Sequence, residues 1–316
     1  MDINYPCTVA AFDVGGTKMA GALVHYPAAN IAPTIEAVSS VPTEARRGGK
    51  AVLETLLDLV ADIVFHAKGS LTGIGVGTAG CVDVHTGSIA FANDLMPGWT
   101  GQPVAKYLRT SFNKPVAVLN DVKAHALGEA RWGAARGAQN CLVIAVGTGL
   151  GGGIIADGRI LLGSRGFAGE LGRTPCPDTY GKQRTCGPAS DLESIAAGSG
   201  IETRYAAVTG EHLTGEEISR RAANGEEPAR RIIREAGLVL GEAIASWADL
   251  LDPEFIVLSG SVCNAGPTWR TAVHEGFDKQ APPIMRELPI VDAALGSRAP
   301  LIGAAEYLLD SRKGQS

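Results

Sequence analysis

Residues 8–24 read TVAAFDVGGTKMAGALV, and they are the most informative residues for predicting the fold. An apolar run at 8–12 leads into a glycine-bearing turn at 13–18, and a second apolar run follows. Two short apolar runs on either side of a glycine pair are typical of a β-hairpin. The pattern returns at 141–156, which read CLVIAVGTGLGGGIIA. The repetition predicts two halves with the same opening, and it indicates an old duplication with a cleft between the halves.

The segments around these two hairpins follow an α/β pattern. Apolar residues at helical spacing predict helices at 51–66, 122–132, 227–251 and 302–309. Short apolar runs predict buried strands at 73–77, 115–119 and 254–258. Strands that alternate with helices favour an α/β fold with a largely parallel sheet.

Composition narrows the class of protein. The 316 residues suggest about two domains. Lys plus Arg number 28 and Asp plus Glu 33, and a net charge of −5 argues against a protein that binds duplex DNA or a membrane surface. No apolar run has the length of a membrane span, and the N-terminus lacks the pattern of a signal peptide. The six scattered cysteines do not form a secreted disulfide framework, so we expect a cytoplasmic protein.

The first glycine turn is a candidate phosphate site. Gly15 and Gly16 let the backbone approach a phosphate closely, and Thr17 can add a hydroxyl donor. Asp13 can hold a hydrated Mg²⁺, because this cation favours oxygen ligands. A tight hairpin with an exposed Asp13 and Lys18 is the alternative interpretation. The spacing of a Walker A loop is missing.

The second glycine turn, GTGLGGG at 147–153, holds five glycines in seven residues. Glycines weaken a strand pair, so we expect a closely bound ligand to offset that loss of stability. A triphosphate is the expected ligand. A third turn at 259–261, Ser-Gly-Ser, follows a predicted strand and could lie against a nucleobase, although it indicates little alone.

Carboxylates follow the glycine turns at three places. Asp121 comes after a predicted buried strand and could act as a general base, while an Asx N-cap at Asn120–Asp121 is the alternative. Glu170 lies between glycines in an irregular stretch. Ser190-x-x-Glu193 predicts a capping box for a helix at 191–197, and a substrate-binding role for Glu193 is the alternative.

These motifs occur together and in order, and the chain resembles the ROK family of sugar kinases and repressors within the actin-like ATPase superfamily. The resemblance runs from Val9 to about Leu308. It implies a two-domain α/β protein of actin-like ATPase (ribonuclease H-like) fold, with ATP and a hexose in an interdomain cleft. We therefore expect a small N-terminal α/β domain at 1–121 plus 302–316, and a large C-terminal α/β domain at 122–301.

The resemblance also implies roles for individual residues. Asp121 would be the general base on the 6-hydroxyl of the sugar. The implied ATP-binding residues are Asp13, Gly15, Gly16, Thr17, Lys18, Thr148, Gly149, Gly151 and Gly152 for the phosphates, and Gly260 near the adenosine. The implied sugar-binding residues are Gly80, Asn93, Asn120, Asp121, Glu170, Arg173 and Glu193. ATP and Mg²⁺ are the expected cofactors.

The chain departs from the family at its structural zinc site. The family usually has Glu-x-Gly-His where this chain has ELGR at 170–173, and Cys-x-Cys-Gly-x-x-Gly-Cys-x-Glu where it has RTCGPASDLE at 184–193. Because Cys186 alone remains in place, we expect no structural zinc. We hypothesise that an ion pair between Arg184 and Asp191 braces the loop instead; the alternative is simple drift after the zinc was lost.

The leading function is an ATP-dependent kinase for a hexose or an N-acylhexosamine, with glucose, N-acetylmannosamine and N-acetylglucosamine all open as acceptors. A sugar-responsive repressor of the same family is a second hypothesis. Only twelve residues precede Asp13, which we interpret as too few for a DNA-binding helix pair. A sugar-binding protein without catalysis is the third. We expect no nucleic-acid or membrane partner, and a homodimer or homotetramer.

Overall fold

The computed structural model describes residues 3–176 and 191–313. The chain divides into two compact units. The first contains residues 1–137, 153–169 and 294–316, and the second contains residues 138–152 and 170–293. The domain boundaries expected after 121 and before 302 stay a prediction. Among the described helices, none is long and apolar enough to span a bilayer.

The strands of the described chain are β1 (Cys7–Val14), β2 (Lys18–Tyr26), β3 (Thr34–Pro42), β4 (Leu71–Thr78), β5 (Cys81–Val82), β6 (Ile89–Phe91), β7 (Val116–Asn120), β8 (Cys141–Val146), β9 (Leu150–Ala156), β10 (Arg159–Ile160), β11 (Phe255–Ser259) and β12 (Ile290–Asp292). The helices are α1 (Gly49–Phe65), α2 (Val104–Phe112), α3 (Asp121–Trp132), α4 (Glu193–Ala196), α5 (Gly198–Thr209), α6 (Gly215–Ala223), α7 (Glu227–Leu251), α8 (Pro267–Gln280) and α9 (Ala299–Lys313).

Two five-stranded sheets share one strand order. The first sheet runs β3-β2-β1-β4-β7, and the second runs β10-β9-β8-β11-β12. In the first sheet β2 is antiparallel to both β1 and β3, whereas β1, β4 and β7 are parallel. In the second sheet β8, β11 and β12 are parallel. The equal order agrees with the duplication that the repeated sequence pattern indicates.

Strand β1 is apolar at nearly every position because both of its faces are buried. Phe12 packs in a cluster with Leu56 and Ile63 of α1 on one face. Val9 packs with Leu308 of α9 on the other face. A parallel strand covered by helices on both faces is expected to read as a continuous apolar run, as 8–12 does.

Most predicted elements are confirmed within a few residues. The helix predicted at 227–251 has those bounds as α7, and the predicted first hairpin is closed by a bond from the amide of Gly15 to the carbonyl of Lys18, 3.0 Å. The helix predicted at 191–197 is wrong in extent, because α4 covers only Glu193–Ala196. The Ser190 half of the predicted capping box lies outside the described residues.

Helices α3 and α9 pack against each other through glycines. A β-carbon on Gly303 would lie 1.6 Å from the carbonyl oxygen of Ala124, and one on Gly128 would lie 2.2 Å from the carbonyl oxygen of Ala299. The two backbones therefore approach more closely than any side chain would permit. Because α3 begins at Asp121, this contact also fixes the position of that carboxylate.

Candidate active site

Two carboxylates lie at one edge of the first sheet. Asp13 is near the end of β1, and Asp121 follows β7 as the first residue of α3. Strand β4 runs between them, with Gly77 opposite both Asp13 and Leu119. The carboxyl ends of parallel strands are where open α/β sheets place their sites. The absence of a side chain at Gly77 lets the start of α3 sit close to the sheet, 3.6 Å from a β-carbon there to the Cα of Asp121.

Asn120 holds the side chain of Asp121 in place. Its amide nitrogen donates to Oδ1 of Asp121, 2.9 Å, and to the carbonyl of Gly80, 3.0 Å. Its carbonyl oxygen accepts the amide of Lys123, 3.1 Å, so Asn120 is the N-cap of α3. Oδ1 of Asp121 also accepts the amide of Val122, 2.9 Å. The N-cap interpretation is therefore correct for Asn120, and the cap orients the neighbouring carboxylate.

Burial sets the protonation of this pair. Burial raises the pKa of Asp121, although its bond from the amide of Val122 acts in the opposite direction. Burial and then the nearby charge of Asp121 raise the pKa of Asp13 to about 7, and Lys18 lowers it only in part. Like charges near each other in a desolvated site favour the neutral form of one partner.

These two carboxylates suit a magnesium ion better than a metal ion whose ligands all come from the protein. Within residues 3–176 and 191–313, no group of three or more His, Cys, Asp or Glu side chains could hold a metal ion. Mg²⁺ keeps several waters and takes one or two carboxylates together with substrate phosphates. Asp13, with Asp121 beside it, supplies a donor set of that kind.

Thr43 positions the first glycine turn, although the sequence alone did not single it out. Its hydroxyl donates to the carbonyl of Gly15, 2.6 Å, and its amide donates to the carbonyl of Thr17, 2.9 Å. Thr43 is buried, so both bonds are shielded from water. Two carbonyls of the turn are thereby directed at Thr43 and away from an incoming anion. No local signal points to Thr43, because it lies 28 residues from Gly15.

The predicted sugar-binding residues of the first unit form a connected group. Gly80 has a φ of 91°, and a β-carbon there would lie 2.7 Å from the carbonyl oxygen of Phe91. Asn93 comes two residues after Phe91, and its Oδ1 accepts the amide of Leu95, 3.2 Å. Together with the bond from Asn120 to the carbonyl of Gly80, these contacts connect the loop at 91–95 with the strand that ends at Asn120.

The same loop reaches the first phosphate turn. A β-carbon on Gly16 would lie 3.8 Å from Cγ of Met96 and 3.9 Å from the carbonyl oxygen of Leu95. A larger residue at position 16 would therefore meet this loop. The structure thus brings Asp13, the turn at 15–18, Gly80, Asn93, Asn120 and Asp121 into one region of the first unit.

In the second unit, the glycine turn after β8 is held in a similar way. The amide of Gly198 donates to the carbonyl of Gly147, 2.8 Å, and the hydroxyl of Ser199 donates to the carbonyl of Thr148, 2.8 Å. Both donors come from the first turn of α5. They fix the carbonyls of the turn, as Thr43 does in the first unit. Gly198 and Ser199 were missed because they are 51 residues away in sequence.

Glu193 contacts the same glycine turn. Its Oε2 accepts the amide of Leu150, 2.8 Å, and a β-carbon on Gly149 would lie 2.7 Å from that oxygen. Glycine is therefore required at 149 for Glu193 to approach. Glu170 and Arg173 flank a short turn in which the amide of Arg173 donates to the carbonyl of Glu170, 3.2 Å.

The segment at 170–173 packs on the start of β9. A β-carbon on Gly172 would lie 2.4 Å from the carbonyl oxygen of Leu150 and 3.2 Å from Cβ of Glu193. Leu171 in turn fills the space beside Gly152, where a β-carbon would lie 2.3 Å from its Cδ1. Packing against Leu171 alone accounts for a glycine at position 152. Roles of Gly151 and Gly152 in phosphate binding stay predictions.

A cavity of about 710 Å³ opens beside this turn. Its walls include Gly147, Thr148, Ser199, Gly215 and Ser261. Pockets of about 300–1,000 Å³ are typical of small-molecule sites.

Gly260 allows the turn at 261–266 to form one wall of this cavity. It has a φ of 98°, and a β-carbon on it would lie 2.3 Å from the carbonyl oxygen of Val146. Any side chain at 260 would push this wall away from the end of β8. The walls that α5 and α6 contribute were missed. The start of α5 at Gly198 carries no motif, and the capping box Thr214-x-x-Glu217 at the start of α6 marks a helix terminus rather than a binding site.

The hypothesis of an ion pair between Arg184 and Asp191 stays a prediction, because Arg184 lies outside the described residues. Cys186 lies outside them as well. Asp191 itself is buried, and its Oδ1 accepts the amide of Ser194, 3.1 Å. It also forms an isolated backbone bridge with Pro175. Asp191 therefore stabilises the start of α4.

Comparison with known proteins shows the family of the chain. The sequence pattern of the ROK family matches residues 9–311. The chain belongs to the ROK family. This ROK protein is 33% identical over 309 residues to a glucokinase of Halalkalibacterium halodurans, covering 92% of each chain. It is 32% identical to an N-acetylmannosamine kinase of Shigella boydii, covering 81% of this chain and 83% of that one.

A solved relative confirms the expected fold class. The crystal structure of a ROK hexokinase from Thermus thermophilus superposes with a TM-score of 0.84 at 31% identity, covering 97% of this chain and 99% of that chain. The ROK protein accordingly has the mixed α/β, actin-like ATPase fold of the ROK sugar kinases.

Proposed function

We propose that this ROK protein is an ATP-dependent sugar kinase that transfers the γ-phosphate to the 6-hydroxyl of a hexose, either glucose or an N-acylhexosamine. The observation that carries the proposal is the half-buried pair Asp13 and Asp121 beside a glycine turn. Phosphoryl transfer needs a base for the attacking hydroxyl, a metal ion and a site for the phosphates. The site offers a carboxylate with a raised pKa, a second carboxylate suited to Mg²⁺, and a glycine turn that a phosphate can approach.

Asp121 is the proposed general base. The sugar hydroxyl oxygen attacks the γ-phosphorus, its proton passes to the carboxylate of Asp121, and ADP leaves with the electrons of the broken P–O bond. The raised pKa of Asp121 brings its basicity nearer to the working pH, which favours proton transfer. Asn120 and the amide of Val122 hold the carboxylate while it accepts the proton.

Asp13 is the proposed residue for holding Mg²⁺. When bound, the ion would neutralise charge on the transferred phosphate. Without it, burial and Asp121 keep the pKa of Asp13 near neutrality, about 7. Lys18 and Thr17 lie in the adjacent turn, where a cation and a hydroxyl donor would meet phosphate oxygens.

The nucleotide and sugar would use the remaining predicted residues. The cavity walled by Thr148, Ser199 and the turn after Gly260 would take the adenosine, and the turn at 147–152 the phosphates. Gly80, Asn93, Asn120, Glu170, Arg173 and Glu193 would bind the sugar. A homodimer or homotetramer stays a prediction, as does the cytoplasmic location expected from the cysteines.

A coupled ADP-release assay tests the proposal. The purified protein, ATP and Mg²⁺ are incubated with glucose, mannose, N-acetylglucosamine or N-acetylmannosamine, with a sugar-free control for background hydrolysis. We expect ADP release that depends on one or more of these sugars, with phosphate on the 6-oxygen by NMR of the product. Sugar binding without any ADP release would contradict the kinase and favour a non-catalytic or regulatory protein.

A further inference from the structure

Two phenylalanine rings touch each other on the surface of the first unit. Phe91 ends β6 and Phe167 lies in the loop after β10, with ring centroids 6.5 Å apart and planes inclined by 42°. The two residues are 43% and 41% exposed. Large aromatic side chains that meet in an exposed position mark a surface suited to an apolar ligand group.

The backbone around both rings is fixed. The thiol of Cys81 in β5 donates to the carbonyl of Arg165, 3.3 Å. A β-carbon on Gly166 would lie 2.3 Å from the carbonyl oxygen of Val82. The loop that carries Phe167 is therefore seated on the strands that lead to Phe91, which holds the two rings together in one place.

The backbone of Phe91 is connected to the proposed catalytic base through Gly80 and Asn120. The carbonyl of Phe91 lies against Gly80, 2.7 Å from a β-carbon position there. The carbonyl of Gly80 accepts the side-chain amide of Asn120, 3.0 Å, and the same amide nitrogen donates to Asp121, 2.9 Å. Phe91, which carries one ring of the pair, thus lies next to Gly80, one of the residues to which the proposed function assigns sugar binding.

We propose that Phe91 and Phe167 form an apolar wall of the acceptor site that receives the N-acyl group of an N-acylhexosamine. The inference rests on the proposed sugar-kinase function and narrows its substrate class. The hydroxyl groups of glucose and mannose need polar partners, which phenyl rings do not offer. The acyl methyl is the apolar substituent that distinguishes the N-acylhexosamines from these sugars, and contact with the rings would remove it from water.

The test compares sugars that differ only at the 2-substituent. Isothermal titration calorimetry measures binding of N-acetylmannosamine against mannose, and of N-acetylglucosamine against glucose, to the wild type and to Phe91→Ala/Phe167→Ala. We expect at least one N-acetyl sugar to bind the wild type, with a Kd that rises on the order of tenfold in the double variant while that of its plain partner stays within about twofold. Phe91→Leu/Phe167→Leu should recover most of the loss.

Phe65→Ala is the matched control, because Phe65 is 86% exposed at the end of α1. It should leave every Kd unchanged. Equal weakening of the N-acetyl and plain sugars, no difference from the control, or no N-acetyl sugar binding to the wild type would each overturn the inference. Binding needs no turnover, so a wild type that binds N-acetyl sugars through the rings but releases no ADP would contradict only the kinase activity.

Discussion

Asp13 shows that the needs of stability and of the proposed chemistry conflict at one residue. A carboxylate that holds Mg²⁺ must be ionised, yet burial and the charge of Asp121 raise the pKa of Asp13 to about 7. In the unfolded chain it would titrate near the ordinary value of 3.8. Between these two pH values the folded state binds more protons than the unfolded state, so the free energy of unfolding should fall as pH rises.

Asp13→Asn should therefore stabilise the metal-free protein at alkaline pH. The difference in free energy of unfolding between the variant and the wild type should grow from pH 4 to pH 7 and then level off. It should reach up to about 4 kcal/mol, because each tenfold difference in proton affinity between the folded and unfolded states corresponds to about 1.4 kcal/mol. Urea unfolding at a series of pH values measures this difference. Asp58→Asn, on α1, is the control. A difference that is flat with pH would contradict the account of Asp13.

Thr43 tests whether carbonyl orientation in the first turn matters for nucleotide binding. Thr43→Val keeps the shape of the side chain but removes its hydrogen bond to the carbonyl of Gly15, which is left without that donor. We expect the KM for ATP to rise about tenfold, with the KM for sugar within about twofold, since one hydrogen bond is worth about 0.5–1.5 kcal/mol. Steady-state kinetics measure the KM for ATP and the KM for the sugar in the variant and the wild type.

Thr55→Val is the matched control for Thr43→Val, because the hydroxyl of Thr55 bonds only to the preceding turn of α1, at the carbonyl of Ala51. If both variants have the same KM for ATP, the role assigned to Thr43 is wrong.

Local pattern singled out the side chains for which we propose a chemical role, but not the side chains that hold the turns in position. Asp13, Asn120 and Asp121 could be singled out because glycines or a strand end lie beside them in sequence. Thr43 and Ser199 could not, because each bonds to a carbonyl far away along the chain. Such bonds depend on how β-strands and helices pack, and no spacing rule encodes them.

Among the helices, α3 and α9 pack so closely that no β-carbon fits at Gly303. Gly303→Ala would place a β-carbon 1.6 Å from the carbonyl oxygen of Ala124, so the helices must separate. We expect a loss of unfolding free energy of at least about 2–3 kcal/mol, as for overpacked cores, and a lower kcat because α3 carries Asp121.

Urea denaturation of Gly303→Ala is compared with that of Gly215→Ala. A β-carbon on Gly215 would make only an ordinary contact, 3.7 Å from Oε1 of Glu202, so this control should change stability by less than about 1 kcal/mol. Equal stability of the two variants would show that the close approach of α3 and α9 is not required.

Helices with a clear apolar stripe were predictable, and short ones were not. Helix α7 is long and buries one side, and Asp252–Pro253 marks its C-terminal end in the sequence, so the helix could be predicted. Helix α4 has only four residues. Its start is held by Asp191, which accepts the amide of Ser194, and by the bond from the amide of Leu150 in β9 to Glu193. A four-residue helix gives too few positions for a period to be read.

At the scale of the whole molecule, the repeated strand order explains why two glycine turns occur. Each turn joins the first two strands of its half of the repeat, after β1 and after β8. In each case a partner outside the turn holds its carbonyls, namely Thr43 in one unit and the start of α5 in the other. The duplication was predictable from the two hairpin sequences, but the partners were not, because they belong to segments that differ between the halves.

The proposed reaction depends on Asp121, which removes the proton from the sugar hydroxyl. The most direct measurement is kcat and sugar affinity for Asp121→Asn, which keeps the size of the side chain. We expect kcat to fall by a factor on the order of 10² to 10⁴, with the Kd for the sugar changed by less than about threefold, because a base acts mainly in the transition state. Near-normal turnover in this variant would contradict the account.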